Sequence, residues 1–202
     1  RGLLRYAVQD LEQARYLLQE ALGKLDDGEE NWAAHAVIEH ELGWLSRDGG
    51  DLEHGEMLLR SALNAARQTG RDDLIAQCAS GLAGVVIDTG MFQLSLDLHD
   101  EAIEAYKQIG QDQYARYVRS NKGVLLMELG DLGTARTSLE EVFKESEQAG
   151  DEFIMIPVAS NLGNLEFLAG NPQKAEDWYS RLPESASEQQ GFAAFNRGRM
   201  SL

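Results

Sequence analysis

Four glycines stand at intervals of forty residues: Gly50, Gly90, Gly130 and Gly170. A second series, Gly70, Gly110 and Gly150, runs twenty residues out of phase with the first. A third position keeps a small residue each time, as Gly43, Ala83, Gly123 and Gly163. Self-similarity at this period means stacked copies of one supersecondary unit rather than a single globular core. The stretch RSNKGVLLMELGDLGTA, Arg119 to Ala135, returns as ASNLGNLEFLAGNPQKA, Ala159 to Ala175, and shows which letters each copy keeps.

Between the glycines lie segments of about twenty residues with helical periodicity. In the first helix of each unit, Ile38, Leu42 and Leu45 fall on one face, and the row repeats as Cys78, Leu82, Val85, then Val118, Lys122, Leu125, then Val158, Leu162, Leu165. The second helix carries Leu59 with Leu63 and Leu139 with Phe143. Glycine at a helix end adopts the left-handed conformation that stops a helix without Cβ strain. The small residues at Gly43, Ala83, Gly123 and Gly163 pair across the hairpin with Gly55, Ser95, Ala135 and Ala175, where bulk would push two helices apart. Asp51, Asp131 and Asn171 follow a glycine as N-cap types, and Pro172 suits the first helical position. Pro157 should kink its helix or delay its start, and Pro183 should end the last second helix early.

These features resemble the tetratricopeptide repeat family, on Leu42-Gly43, Leu82-Ala83 and Leu162-Gly163 in the first helices and Gly55, Ser95, Ala135 and Ala175 in the second. The forty-residue period and the Asn before the Leu-Gly step are similar to the longer repeats of kinesin light chains and bacterial peptide-sensing regulators. The chain departs from the family where an aromatic is usual, holding Glu39, Ala79, Arg119 and Ala159, and Lys122 replaces a Leu. The expected fold is all-α: a right-handed superhelical solenoid of stacked antiparallel helix pairs. About four full repeats are expected within a single domain over 1–202, with half-repeats at the ends. The repeats are set at 1–28, 29–70, 71–110, 111–150 and 151–184, followed by a terminal helix over 185–202.

Composition narrows the function. A net charge of −16 speaks against nucleic acid as partner, because phosphate contacts need clustered Lys and Arg. No apolar run approaches the ~20 residues of a membrane span, and a single cysteine, Cys78, fits a reducing cytoplasm. Enzyme signals are missing from the sequence. His35 and His40 do not share a helical face, His99 occupies the core row of Leu59, Leu139 and Tyr179, and Cys78 holds a core position. No cofactor and no metal site is expected.

If Ile38, Leu42 and Leu45 face the core, His40, Trp44 and Arg47 lie opposite, on the concave side that first helices line. The later units place Ser80, Gly84 and Ile87, then Ser120, Val124 and Met127, then Ser160, Asn164 and Phe167 there. A serine-rich face with apolar residues in each unit suits a groove that contacts a partner. Asn121 and Asn161 sit at its rim, where an amide can pair with the backbone of an extended peptide. The family resemblance implies that role for them; the alternative is a hydrogen bond to a neighbouring helix. Arg116 and Arg119, with Lys122 and Arg47, could receive an acidic group of a ligand, or could pair with surplus acids of the chain itself such as Glu152 or Asp112. Trp44, Tyr117 and Phe167 are anchor candidates, with packing against the next repeat as the rival role. The leading functional reading is a non-catalytic scaffold or adaptor binding a protein or peptide segment in the groove, in the manner of a regulator's sensor module. The second is a scaffold that self-associates through terminal helices, motivated by Phe192, Ala193 and Phe195.

Overall fold

The computed structural model describes residues 2–26 and 28–182, with side chains from residue 11 onward. Two compact units, Arg1–Gly110 and Gln111–Leu202, make up the chain, each with its own core. Among the described residues there is no strand, and helices follow one another in pairs.

The first unit holds α1 (Gly2–Leu22), a single 3-10 turn (Glu29–Asn31), α2 (Trp32–Asp48), α3 (Leu52–Thr69), α4 (Asp72–Asp88) and α5 (Phe92–Gln108). Helix α2 packs on α3, α3 on α4 and α4 on α5, while the first helices α2 and α4 also touch each other. Gly50, Gly70, Gly90 and Gly110 close the turns with φ between +64° and +88°, the left-handed values that the glycine ladders imply. Where helices cross, close approach is literal. A Cβ on Gly43 would lie 2.6 Å from Leu59 Cγ, and one on Gly55 would lie 2.9 Å from the Gly43 carbonyl. In the next pair the Ser95 hydroxyl donates to the Ala83 carbonyl at 2.9 Å, so a small polar residue bonds to the backbone it touches.

Over the stretch set as the first, partial repeat at 1–28 lies one helix, α1, running from Gly2 to Leu22. Its forty-residue ladder position is Asp10 rather than glycine, so nothing there turns the chain. Leu42, Cys78, Leu82 and Val85 are buried as the periodicity requires. Ile38 and Leu45, in the same row, are only half-buried.

The second unit holds α6 (Asp112–Glu128), α7 (Leu132–Ala149), α8 (Glu152–Leu168) and α9 (Pro172–Tyr179). Helix α6 packs on α7, α7 on α8, α8 on α9, and the first helices α6 and α8 touch. Val118, Leu125, Val158, Leu162 and Leu165 are fully buried, each worth about 1.5–3 kcal/mol against exposure. Asp51 and Asp131 cap α3 and α7 by accepting from His54 N and Thr134 N, and Asp151 does the same for α8 through Ile154 N. Asn171 makes no cap bond; its amide turns to Glu166 instead. Helix α8 starts at Glu152 and runs on through Pro157, so the proline does not delay it. Helix α9 ends at Tyr179, and Pro183, the terminal helix over 185–202 and Phe192, Ala193 and Phe195 lie outside the described residues.

Candidate functional site

The residues singled out on the first helices divide between the two units, and their surroundings differ. In the first unit, His40, Trp44 and Arg47 form one chain of contacts. The Trp44 indole N–H donates to His40 Nε2 at 3.2 Å. Because an indole N–H can only donate, the His40 proton sits on Nδ1, which faces Glu41 Oε1 at 3.2 Å. The Arg47 guanidinium lies over the Trp44 ring, 5.1 Å from its centroid, and its Nε donates to Asp88 Oδ2 at 2.9 Å. Glycine makes room for this stack on α4. A Cβ on Gly81 would come within 2.8 Å of His40 Nε2, and one on Gly84 within 3.6 Å of Trp44. These three side chains therefore join α2 to α4, with the Trp44 indole, His40 and the Arg47 Nε already bonded.

In the second unit, Arg116 and Arg119 also have partners within the chain. Arg116 donates to Asp151 Oδ2 at 3.2 Å, joining α6 to the α8 N-cap, while Gln113 donates to the other oxygen. Arg119 reaches down to α7 and holds Glu145 at 2.7 Å and Glu141 at 2.9 Å. Asn164 accepts from the Tyr179 hydroxyl at 2.7 Å, tying α8 to α9. Ser120 and Ser160 are buried between the first helices and their neighbours. Asn121 and Asn161 remain: both are half-buried, and among the described residues neither amide makes a hydrogen bond. Tyr117, one turn before Asn121, is 45% exposed.

One polar residue of this unit escaped the sequence reading. Glu166 is buried at the row otherwise filled by Ser46, Val86 and Leu126. Arg136 donates to one of its oxygens at 2.5 Å and Asn171 to the other at 2.7 Å. Burial pushes this carboxyl up, but the hydrogen bonds from Arg136 and Asn171 and the charges of Arg136 and Lys174 outweigh it, and the group titrates below an ordinary glutamate. The signal was a lone acid in an otherwise uncharged row.

Groups that could suggest chemistry are occupied structurally. His99 is buried and its Nδ1 donates to the Ser95 carbonyl at 2.7 Å. Burial first, and then the charges of Glu39 and Glu41, push the Cys78 thiol up to about 12, far from a reactive thiolate. Among the described residues no cluster of His, Cys, Asp and Glu is placed to hold a metal ion, and no helix is long and apolar enough to cross a membrane.

Comparison with known structures gives the class. The chain is similar to BtubC (BKLC) from P. vanneervenii, with a TM-score of 0.76, 23% identity, and coverage of 98% of this chain and 77% of that one. It is similar to the TPR-like repeats of a putative kinesin light chain from Podosopora anserina, with a TM-score of 0.68, 15% identity, and coverage of 99% and 89%. It also matches the Rap conjugation gene regulator of the plasmid pLS20, solved in complex with the Phr* peptide, with a TM-score of 0.61, 15% identity, and coverage of 89% of this chain and 49% of that one. No protein-family model matches the chain, and no curated protein matches it. The fold is thus a tetratricopeptide-repeat-like helical solenoid, as the glycine ladders and small-residue pairs imply.

Proposed function

We propose that the protein is a non-catalytic scaffold that binds an extended peptide or partner segment along the face of α6 and α8. The observation that carries this reading is the pair Asn121 and Asn161, half-buried and without a hydrogen bond among the described residues. Asn in a helix interior costs roughly 0.6 kcal/mol relative to Ala, and here that cost is not returned by an internal hydrogen bond. Two amides one repeat apart offer donor and acceptor to a peptide backbone whatever its side chains are. Tyr117 adds an exposed aromatic surface on α6. That a similar fold is seen with a bound peptide in the Rap regulator supports the same use here. Within a longer regulator such a face would serve as the signal input.

Preorganised helices lower the ordering cost of binding, so affinity rests on the amides and on whatever pockets the peptide side chains reach. The test is selection of a displayed random-peptide library on the parent chain and on the Asn121→Ala, Asn161→Ala double variant. Peptides that bind the parent and lose about tenfold or more on a folded double variant are expected. Equal binding to both would remove the asparagine clamp. Self-association stands as the second reading because α1 presents Leu11, Tyr16 and Leu17, each more than half exposed. It predicts a mass that rises with concentration and falls back in Leu17→Glu.

A further inference from the structure

A recess of about 190 Å³ opens on the α2–α3 pair of the first unit. Trp32, His35 and Glu39 of α2 and Ser61, Asn64 and Gln68 of α3 line it. Glu39 is the anomaly. Its Oε2 is buried and has no hydrogen-bond partner, while Oε1 stands 3.5 Å from His35 Nδ1. The other ring nitrogen of His35 is committed to the Asp26 carbonyl at 3.0 Å. A buried carboxylate oxygen without a donor is costly, which makes it a feature to explain rather than a detail of packing.

The repeat itself shows what is missing. Two periods along, the residue in the Glu39 row is Arg119, and the residues in the Ser61 and Ala65 rows are Glu141 and Glu145. There the cation on the first helix is closed by two acids on the second, at 2.9 and 2.7 Å. In the α2–α3 pair the first helix carries the acid, and the second offers a serine and an alanine where a cation would be needed. Small side chains in those two rows leave the space open.

We propose that this recess receives one guanidinium group, which supplies the donor that Glu39 Oε2 lacks. A guanidinium is planar and donates in a fork, so it can bridge the Glu39 carboxylate while stacking on Trp32. The side-chain carbonyls of Asn64 and Gln68 and the Ser61 hydroxyl accept its remaining N–H groups. The terminal torsion of a glutamate is soft, so the carboxylate turns toward the opening at little cost. A net charge of −16 favours a cation at long range as well. The group can arrive on an arginine side chain of a partner or on a free alkylguanidine, and both share this chemistry.

The experiment is a titration of the full chain, followed by Trp32 indole NMR shifts, with Nα-acetyl-arginine methylamide, its neutral citrulline analogue and ethylguanidinium. Saturable binding of the arginine derivative is expected, with citrulline and the Glu39→Gln variant each weaker by about tenfold or more. Ethylguanidinium matching the arginine derivative assigns a free guanidine as the source; a clear preference for the arginine derivative assigns a partner's side chain. Ala65→Arg supplies an internal guanidinium, and is expected to block binding and raise the melting temperature. Absence of a saturable shift in the parent, or equal affinity for arginine and citrulline, overturns the proposal. An Ala65→Arg variant that folds and binds as the parent does overturns it as well. None of these readouts involves Asn121 or Asn161.

Discussion

The α2/α4 face of the first unit and the α6/α8 face of the second are built on the same helix pairs, yet they spend their polar residues differently. On α2, Trp44, His40 and Arg47 bond to one another and to Asp88, and glycines on α4 leave space for them. On α6 and α8, Arg116 and Asn164 are used for internal support, while the half-buried Asn121 and Asn161 make no hydrogen bond among the described residues. The lesson is that a large aromatic in a repeat row closes the face over its neighbour, whereas serine and asparagine leave it open. Composition along a helix does not reveal this, because both faces read as polar with scattered apolar residues.

That contrast can be broken from the bottom. Tyr179 fills the space beside Gly163, and its hydroxyl positions Asn164. Gly163→Val drives a branched side chain into that ring and should cost about 3 kcal/mol, the largest effect foreseen. Urea unfolding should show it, with loss of peptide binding in step. Arg136→Ala should cost about 2 kcal/mol or more, because it leaves the buried Glu166 with Asn171 alone. Its pH dependence fixes the cause. Since Glu166 titrates below its unfolded value, the contribution is complete above about pH 4.3 and is lost as pH falls through the depressed folded value. The gap between parent and Arg136→Ala should therefore narrow in acid; a gap independent of pH down to acid unfolding would rule out the ion pair as its source.

Smaller changes sharpen the contrast. Trp44→Ala should cost about 2 kcal/mol through lost packing on Gly81 and Gly84, and leave affinity for selected peptides unchanged. Lost peptide binding with retained stability would instead make Trp44 part of the binding surface. The Asn121→Ala, Asn161→Ala pair should have the smallest effect on stability, neutral or up to about 1 kcal/mol stabilising, because Ala is the better helix former and no internal bond is lost. A melting temperature that drops by several degrees would mean these amides hold the scaffold rather than a ligand.

What the sequence by itself determined is the part governed by local rules. Glycine at Gly50, Gly70 and their equivalents stops helices because only glycine takes those backbone angles without strain, and the small row through Gly43 and Gly163 sets where paired helices touch. The single helix α1 is legible too, since Asp10 stands where a turn glycine would belong. The fate of polar side chains was decided by tertiary structure alone. Arg119 could be read as a ligand contact until α7 brought Glu141 and Glu145 beneath it, and Glu39 stood only as a departure from the usual aromatic until the α2–α3 pair buried one of its oxygens near Ser61 and Ala65. A charge is satisfied or left wanting by residues twenty or more positions away, and only the packing of one helix on another shows which.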